Sequence, residues 1–170
     1  MSLVGFKAQN HPQQRPKPSV DDWATDPGFF ADLHRRFRFT VDAAALPRNA
    51  KLPRFWTPFD NGLRQSWAGE RVWCNPPYSS IWPWVRKAWS EPAALVVMIL
   101  PANRTEQRWW QREVEPCRDR PGSRLRVEFL PGRIRFIHPD AEGIGPNERP
   151  PFGCCLLIWE AAALSVEGTR

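Results

Sequence analysis

The sequence predicts one compact α/β domain whose mixed sheet ends in a C-terminal hairpin. Segments with helical spacing of apolar residues alternate with short apolar segments along residues 21–163, and such alternation is typical of helices that cover a largely parallel sheet. The segment AALVVMILP at 93–101 is apolar throughout, which predicts a strand buried on both faces. A chain of 170 residues with 42% hydrophobic residues is long enough to enclose one core.

Three segments have the spacing and the end signals of helices. Residues 27–37 begin with Pro27, which suits a first helical turn, and then place Phe and Leu side chains at helical spacing. Residues 79–89 begin with a Ser cap, and residues 105–115 begin with Thr105 as the predicted cap. The two tryptophans of this third segment are interpreted as packing residues.

Five further segments contain the predicted strands. They are FRFTVDAAA up to Asp42, RVWC at 71–74, the apolar run at 93–101, the alternating RLRVEFLPGRIRF at 124–136 and FGCCLLIWE at 152–160. The Pro-Gly pair in the fourth of these segments predicts a hairpin. Ligand sites of α/β sheets lie beyond the carboxyl ends of the strands. Asp42, Asn75 and Pro101 are therefore expected to bring three loops together.

The two ends of the chain differ from this domain in composition. Residues 1–20 are rich in Pro and Gln and show no periodicity, so we expect a flexible N-terminal arm before the domain. Residues 164–170 are expected to form a disordered tail. We find no apolar run of about 18 residues and no apolar signal core, which argues against a membrane span or an export signal and favours the cytoplasm.

Composition limits the classes of partner and cofactor. The formal net charge is +6 and the pI is about 9.7, which favours a polyanionic partner such as nucleic acid. The four cysteines include no C-x-x-C pair and only three histidines are present, so neither a zinc site nor a disulfide framework is expected. No tight acidic cluster accompanies the basic residues, which argues against a metal-dependent nuclease.

The segment RVWCNPPYSS places two adjacent prolines between Asn75 and Tyr78, the only tyrosine in the chain. Asn75 and Pro76 each precede a proline, a position that disfavours the α conformation, and the two prolines have no N–H to donate. The corner therefore presents acceptors, the Asn75 side-chain oxygen and backbone carbonyls, beside a flat phenol ring. Such an array suits a planar group that carries an NH2, because both hydrogens are accepted while the ring stacks on Tyr78. Accepting both hydrogens localises the lone pair of the nitrogen and makes it a better nucleophile.

NPPY resembles the catalytic signature of amino-group methyltransferases that use S-adenosylmethionine. The wider pattern, DDWATDPGFF, FRFTVDAAA, NAKLPRFWT, DNGLRQSW, RVWCNPPYSSIWPWVRKAW and VVMILPANRT, resembles the small phage-type DNA N-6-adenine-methyltransferases (the phage Dam family) over about residues 21–137. This resemblance implies a Rossmann-like methyltransferase fold, S-adenosylmethionine as the methyl donor, adenine in double-stranded DNA as the substrate, and a phage or prophage origin. The residues it implies to be catalytic are Asn75, Pro76, Pro77 and Tyr78.

The same resemblance implies positions for the methyl donor. Trp23 and Thr25 match the W-x-T segment of the family, which would pack near the cofactor. Asp42 would hold the methionine ammonium or a ribose hydroxyl, and Asp60 would lie near the cofactor adenine. Each has a simpler interpretation, because Asp42 could only end a strand, Asp60 belongs to a turn sequence and Thr25 could cap the first helix. AAALPRN follows Asp42 where many methyltransferases have a glycine-rich turn, and the phage-type pattern lacks that turn as well.

An adenine inside a duplex cannot meet the methyl donor, so the base would have to be flipped out. Residues 104–135 contain nine arginines and five acids, a net charge of +4. The predicted DNA-binding residues are Arg104, Arg108, Arg112, Arg133 and Arg135. The first three repeat every four residues and are predicted to form one helical face along the DNA backbone.

Two other functions stay open. NPPY also occurs in methyltransferases that act on RNA bases or on protein glutamine side chains, because an amide and an aromatic amine present the same NH2. A DNA-binding relative without catalysis would fit the absent glycine-rich turn. Positive charge and the flanking matches favour DNA as the substrate, and binding of S-adenosylmethionine distinguishes an enzyme from the non-catalytic relative.

Overall fold

The computed structural model describes residues 21, 23–137 and 150–161. Within them, three helices accompany a five-stranded sheet and a separate two-stranded sheet. In chain order the elements are β1 (Ala24–Thr25), α1 (Pro27–Phe37), β2 (Val41–Asp42), β3 (Arg71–Cys74), α2 (Ile81–Ser90), β4 (Leu95–Pro101), α3 (Arg108–Glu113), β5 (Leu125–Phe129), β6 (Phe136–Ile137) and β7 (Cys154–Glu160). The predicted arm at 1–20 and the predicted tail at 164–170 lie outside the described residues.

The five-stranded sheet has the strand order β2-β3-β4-β7-β5. Strands β2, β3 and β4 run parallel, whereas β7 runs antiparallel to both β4 and β5. The predicted α/β class with a mixed sheet is therefore confirmed. Asp42 is in register with Trp73, and Cys74 is in register with Met98. The carboxyl ends of the three parallel strands thus lie at the same edge of the sheet, as the sequence predicted.

Strand β4 lies at the centre of the core, and all seven of its residues are buried. Its side chains alternate between the two faces of the sheet. Val96, Met98 and Leu100 pack into one cluster with the buried side chains of α2 and α3, whereas Val97 and Ile99 pack into a second cluster with those of α1. Helices therefore cover both faces. The two tryptophans of α3 belong to the first cluster, in agreement with their prediction as packing residues.

Helix α1 begins where the sequence predicts. Pro27 is its first residue, and Asp26 caps it by accepting the N–H of Phe29 at 2.8 Å. Arg38 ends the helix in the left-handed conformation, with φ of 52°. Thr25 lies in β1, so the interpretation of Thr25 as the cap of this helix is wrong.

The predicted hairpin at 124–136 is wrong. Strand β5 pairs with β7, and β6 pairs with β1 in the separate two-stranded sheet. The Pro-Gly pair lies in the irregular segment between β5 and β6, with Gly132 at φ of 68°. Every residue of β5 pairs with a buried apolar residue of β7. This long-range pairing replaces the predicted pairing of β5 with the segment that follows it.

The third helix is shorter than predicted. It begins at Arg108 after Gln107 and ends at Glu113. Thr105 is not its cap. Residues 105–107 form a turn in which the N–H of Gln107 donates to the carbonyl of Arg104 at 3.2 Å, and the carbonyl of Thr105 accepts from the side chain of Gln111 at 2.7 Å.

Two kinds of feature are absent from the part of the chain that the structure describes. None of its helices combines the length and the apolar character required to cross a bilayer. No group of three or more His, Cys, Asp or Glu side chains there could hold a metal ion. All four cysteines are free thiols, and burial raises the pKa of Cys154 and Cys155 to about 12, so both stay protonated at neutral pH.

Candidate active site

The NPPY corner lies between β3 and α2, at the edge where the parallel strands end. Strand β3 ends at Cys74 and α2 begins at Ile81, so the strand before the corner and the helix after it are both confirmed. The carbonyl of Pro77 accepts the N–H of Ser80 at 3.0 Å, which turns the chain into the helix. The rigid corner is thus held at both ends by regular structure.

Asn75 lies at the point where three cavities meet. It lines an aromatic cavity of about 140 Å³, a large cavity of about 410 Å³ and a small polar cavity of about 20 Å³. Its Nδ2 donates to the main-chain carbonyl of Trp23 at 3.4 Å. This bond uses the donor branch of the amide and leaves Oδ1 available as an acceptor. The acceptor that the sequence predicted therefore adjoins space for a ligand.

The aromatic cavity is lined by Trp23, Tyr78, Phe136 and Phe152, together with Asn75. The Tyr78 ring meets Phe136 edge-on, with centroids 6.4 Å apart, and lies tilted to Phe152 at 6.3 Å. These contacts fix the plane of the phenol. The cavity is therefore a mainly apolar slot with an amide at one side.

Tyr78 is 9% exposed, and its hydroxyl is buried without a hydrogen-bond partner among the described residues. Burial raises the pKa of Tyr78 well above its ordinary value, because desolvation disfavours the phenolate. The side chain is therefore a neutral phenol at physiological pH. It can therefore offer a ligand a flat aromatic surface and one hydroxyl that makes no hydrogen bond to the described residues.

The large cavity lies beyond the end of β2, on the other side of Asn75. Its lining includes Ala43, Asn49, Trp56 and Pro77, together with Gly62. A Cβ atom on Gly62 would lie 2.1 Å from the carbonyl oxygen of Ala43, so only glycine permits this approach of the 57–62 turn to the strand end. The backbone after β2 is thus approached closely by one glycine from a later loop. The sequence carried Gly62 only as part of a turn signal.

Asp42, predicted at the cofactor, is 2% exposed and ends β2. Its Oδ2 accepts the N–H of Lys51 at 3.0 Å, and its Oδ1 accepts the N–H of Ala44 at 3.4 Å. Burial raises the pKa of Asp42 from 3.8 to about 6, against the opposing effect of these two hydrogen bonds. The carboxylate is thus a buried group that a cationic ligand would stabilise.

The small polar cavity brings several predicted residues together. Trp23, Thr25, Asp42 and Asn75 all line it. Thr25 is 1% exposed, and its Oγ1 is buried without a partner among the residues the structure describes. Trp23 and Thr25 therefore lie beside the end of β2 and the NPPY corner, while their contact with a cofactor stays a prediction.

Asp60 is not brought into these cavities. It is exposed, and its Oδ2 accepts from the N–H of Thr57 at 2.9 Å and from the hydroxyl of Thr57 at 2.7 Å. These bonds lower the pKa of Asp60 below its ordinary value. The turn that Asp60 stabilises places Thr57 and Asn61 on the wall of the large cavity.

The predicted arginines occupy different environments. Arg104 precedes α3 instead of belonging to it, so the prediction of one helical face with Arg108 and Arg112 is wrong for Arg104. Its Nη1 donates to the carbonyl of Tyr78 at 2.9 Å, and it lines the aromatic cavity. The guanidinium groups of Arg108 and Arg112 each lie 5.9 Å from the ring centroid of Trp82.

Arg133 and Arg135 lie on the exposed segment that leads into β6. The carbonyl of Arg135 accepts the N–H of Asp26 at 3.3 Å, which ties this segment to the start of α1. The next residue, Phe136, lines the aromatic cavity. Both arginines are therefore close in sequence to the candidate site.

Sequence reasoning missed two aromatic residues of the site, Phe136 and Phe152. Phe136 belonged to the predicted hairpin, and Phe152 belonged to a predicted strand that in fact begins at Cys154. Both reach Tyr78 because β6 pairs with β1 and β7 pairs with β4. The only signal was their position beside strands, which does not identify a cavity.

Comparison with known proteins identifies the family. A sequence model of DNA N-6-adenine-methyltransferase (Dam) matches residues 13–165. A DNA N-6-adenine-methyltransferase of Haemophilus phage HP1 (strain HP1c1) is 37% identical over 153 residues, which cover 86% of this chain and 83% of the relative. A DNA N-6-adenine-methyltransferase of Escherichia phage T1 is 34% identical over 87 residues, which cover 49% of this chain and 37% of that relative. The resemblance inferred from NPPY and its flanking motifs is confirmed, and the chain belongs to the DNA N-6-adenine-methyltransferase (Dam) family.

Proposed function

We propose that the protein transfers a methyl group from S-adenosylmethionine to the N6 amine of an adenine in double-stranded DNA. The observation that carries the proposal is the position of Asn75, which lines the aromatic, large and small polar cavities at once. An amine held at Asn75 from the aromatic side would meet a methyl group held from the other two cavities. Membership of the family supports adenine and DNA as the substrate, and the cavities support the manner in which both ligands are held.

The aromatic cavity is the proposed site of the flipped adenine. Flipping costs a few kcal/mol, and stacking of a base on an aromatic side chain returns about 1–3 kcal/mol. Tyr78 supplies that surface, and its contacts with Phe136 and Phe152 keep the ring from turning. The N6 amine would then lie toward Asn75, at the polar side of the slot.

The large and small polar cavities fit S-adenosylmethionine, which supplies a methyl group on a positively charged sulfur. The buried carboxylate of Asp42 suits the ammonium of its methionine part, as does the hydroxyl of Thr25, for which the described residues supply no partner. Trp56 and Trp84 line the large cavity and offer apolar surface to the nucleoside. Asp60 would contribute through the turn that it stabilises.

The proposed chemistry needs acceptors and no protein base. Asn75 Oδ1 and the corner carbonyls would accept the two N6 hydrogens, which localises the nitrogen lone pair toward the methyl group. In the proposed transfer, a nitrogen–carbon bond would form as the carbon–sulfur bond of the donor broke and left its electrons on sulfur, and the surplus proton would pass to water. Asparagine is not a base at neutral pH, so its role is orientation and electrostatic stabilisation. Pro76 and Pro77 keep the corner rigid.

No covalent intermediate with the enzyme is proposed. Cys74 precedes the corner, and it is buried on β3. Burial raises the pKa of its thiol well above the ordinary value, so the thiolate that a nucleophilic mechanism requires does not form at neutral pH.

Arg104, Arg108, Arg112, Arg133 and Arg135 are proposed to contact the DNA. The net charge of +6 supports binding of a polyanion at rates and affinities that depend on salt. We propose that the reaction takes place in the cytoplasm of a bacterial host, where the DNA is accessible.

Incubation of the purified protein with methyl-labelled S-adenosylmethionine tests the proposal. Duplex DNA, RNA and protein are offered in separate reactions, and the DNA is then digested to nucleosides and sequenced to map the modified positions. We expect label in N6-methyladenine from DNA alone. Label that enters RNA or protein instead would favour another amino-group substrate. Absence of label together with absence of S-adenosylmethionine binding by calorimetry would favour a non-catalytic DNA-binding relative.

A further inference from the structure

A polar groove lies between the start of α2 and the start of α3, outside the cavities proposed for the base and the donor. We name it the α2–α3 groove. It has a volume of about 430 Å³, and its lining includes Ser79, Ser80, Trp82, Arg104, Gln107 and Trp109. We propose that this groove binds a backbone phosphate of the DNA strand that carries the flipped adenine. The inference rests on the proposed function and names the site that holds the strand.

Three of the polar side chains that line the groove, those of Ser80, Arg104 and Gln107, keep N–H or O–H donors without a partner among the described residues, and no carboxylate lines the groove. Ser80 precedes α2 without capping it through its side chain, so its hydroxyl is available to donate. Gln107 uses Oε1 to accept from Trp109 Nε1 at 2.7 Å, which leaves its NH2 as the exposed function. Available donors without a carboxylate among the lining residues suit an anion with several acceptor oxygens.

Arg104 supplies a full positive charge to the same groove. One of its N–H groups donates to the carbonyl of Tyr78 at 2.9 Å, and this bond fixes the guanidinium in place. The other N–H groups of its fork remain for a further acceptor. A guanidinium held in this way is preorganised for a phosphate, so little side-chain entropy is lost on binding.

The groove and the aromatic cavity share two residues, Tyr78 and Arg104. Tyr78 therefore separates a mainly apolar space from a donor-lined space. A nucleotide has the same two parts, a flat base and a charged phosphate joined through the sugar. The arrangement thus fits one nucleotide whose base lies on one side of Tyr78 and whose phosphate lies on the other.

Further positive charge lies beside the groove. Arg108 and Arg112 are exposed on α3, and each guanidinium lies over Trp82, a residue of the groove wall. Two carboxylates also lie near the groove and keep their charge: Glu113 accepts from Trp82 Nε1 at 2.9 Å, and Asp21 accepts from the hydroxyl and the N–H of Ser79. The guanidinium groups of Arg108 and Arg112 at the groove wall extend the proposed contact to neighbouring phosphates.

Gln107→Glu tests the inference with a matched control, Gln111→Glu. Both replace an amide by a carboxylate within the same stretch, but Gln111 lies outside the groove. Glutamate at 111 loses the bond that the Gln111 side chain donates to the carbonyl of Thr105, so thermal unfolding of both variants checks that the turn is kept. Glutamate at 107 keeps the oxygen that Trp109 needs, so the fold is preserved. The affinity for a duplex containing the mapped target adenine is measured by fluorescence anisotropy at several salt concentrations, and S-adenosylmethionine affinity is measured by calorimetry.

We expect Gln107→Glu to weaken DNA binding about tenfold or more at physiological salt and to reduce the slope of log affinity against log salt by about 1. Gln111→Glu should stay within about threefold of the wild type, because screening weakens a charge outside the contact. Both variants should bind S-adenosylmethionine normally. Equal DNA affinity in Gln107→Glu and the wild type would contradict the proposal that the groove binds a backbone phosphate. A wild type that binds no DNA would contradict the proposed function.

A second variant separates folding from binding. Ser80→Asp introduces a residue that caps helices about as well as serine at the start of α2, so thermal stability should be kept while DNA affinity falls. A folded Ser80→Asp protein that binds DNA with wild-type affinity would contradict the groove as a phosphate site.

Discussion

Two hydroxyls at the site have hydrogen-bonding capacity that none of the described residues uses. The hydroxyls of Tyr78 and Thr25 are buried without partners in that part of the chain, and an unsatisfied buried polar group costs about 1–3 kcal/mol. A ligand that supplies the missing bond recovers part of that cost. The sequence motif could identify Tyr78. The burial of Thr25 depends on the pairing of β1 with β6, which no local sequence pattern predicts.

Substitutions of Tyr78 should separate the ring from its hydroxyl. Tyr78→Phe keeps the stacking surface and should keep kcat/KM within about fivefold of the wild type, since at most one hydrogen bond is lost. Tyr78→Ala removes the surface and should lower kcat/KM about 10- to 100-fold. Steady-state kinetics on a duplex with one target adenine measure both. Equal losses in the two variants would assign the role to the hydroxyl instead of the ring.

Asp42 should make stability depend on pH in a defined direction. Its pKa is raised from 3.8 to about 6 in the folded protein, so ionisation costs stability as the pH rises through this window, on the order of 3 kcal/mol in total. Asp42→Asn should remove this loss. Urea unfolding of both proteins between pH 4 and pH 7 isolates the contribution of Asp42, because the other acids are common to both. A constant difference between the two proteins across the window would contradict the raised pKa.

Asp42 should also make the affinity for S-adenosylmethionine depend on pH. If Asp42 holds the ammonium of S-adenosylmethionine, the ionised carboxylate binds it better, and affinity should fall as the pH drops below about 6. Asp42→Asn should bind the donor more weakly at neutral pH and without this pH dependence. Calorimetric titrations at several pH values test it, and an unchanged affinity in Asp42→Asn would remove Asp42 from the donor site.

At the scale of elements, the helix and strand signals gave α1, α2, β3, β4 and β7 correctly, because each depends on local spacing and on burial of one face. The hairpin at 124–136 was wrong because β5 and β6 each find a long-range partner. The third helix was predicted too long because a turn precedes Arg108. Local sequence therefore fixes which segments are regular, while the partners of edge strands depend on the assembled sheet.

The approach of the 57–62 turn to β2 should depend on Gly62. A Cβ there would lie 2.1 Å from a backbone oxygen, and overpacking of this kind costs about 1–3 kcal/mol or more. Gly62→Ala should therefore lower the melting temperature and weaken S-adenosylmethionine binding. The control is Gly69→Ala, because Gly69 has φ of +71° and open space around its Cβ position.

Gly69→Ala should cost about 1–2 kcal/mol through backbone strain alone and should leave donor affinity unchanged. Thermal unfolding and calorimetry on both variants provide the comparison. Normal donor binding in a folded Gly62→Ala protein would show that the turn does not shape the donor cavity.

At the scale of the whole molecule, the parallel strands bring together segments that are far apart in sequence. Trp23, Asp42 and Asn75 line one small cavity because β2 and β3 end at the same edge and β1 lies beside them. The sequence could predict this edge from the order of strands and helices. It could not predict that Phe136 and Phe152 complete the slot around Tyr78, since their positions follow from long-range pairing.

The most direct test of the account is the rate of methyl transfer by Asn75→Ala in a single turnover, with DNA and S-adenosylmethionine both at saturating concentration. Removal of the acceptor at the junction of the cavities should lower the rate at least about 100-fold, while the dissociation constants of both ligands stay within about threefold of the wild type. A variant that binds both ligands and transfers the methyl group at the wild-type rate would contradict the central role of Asn75.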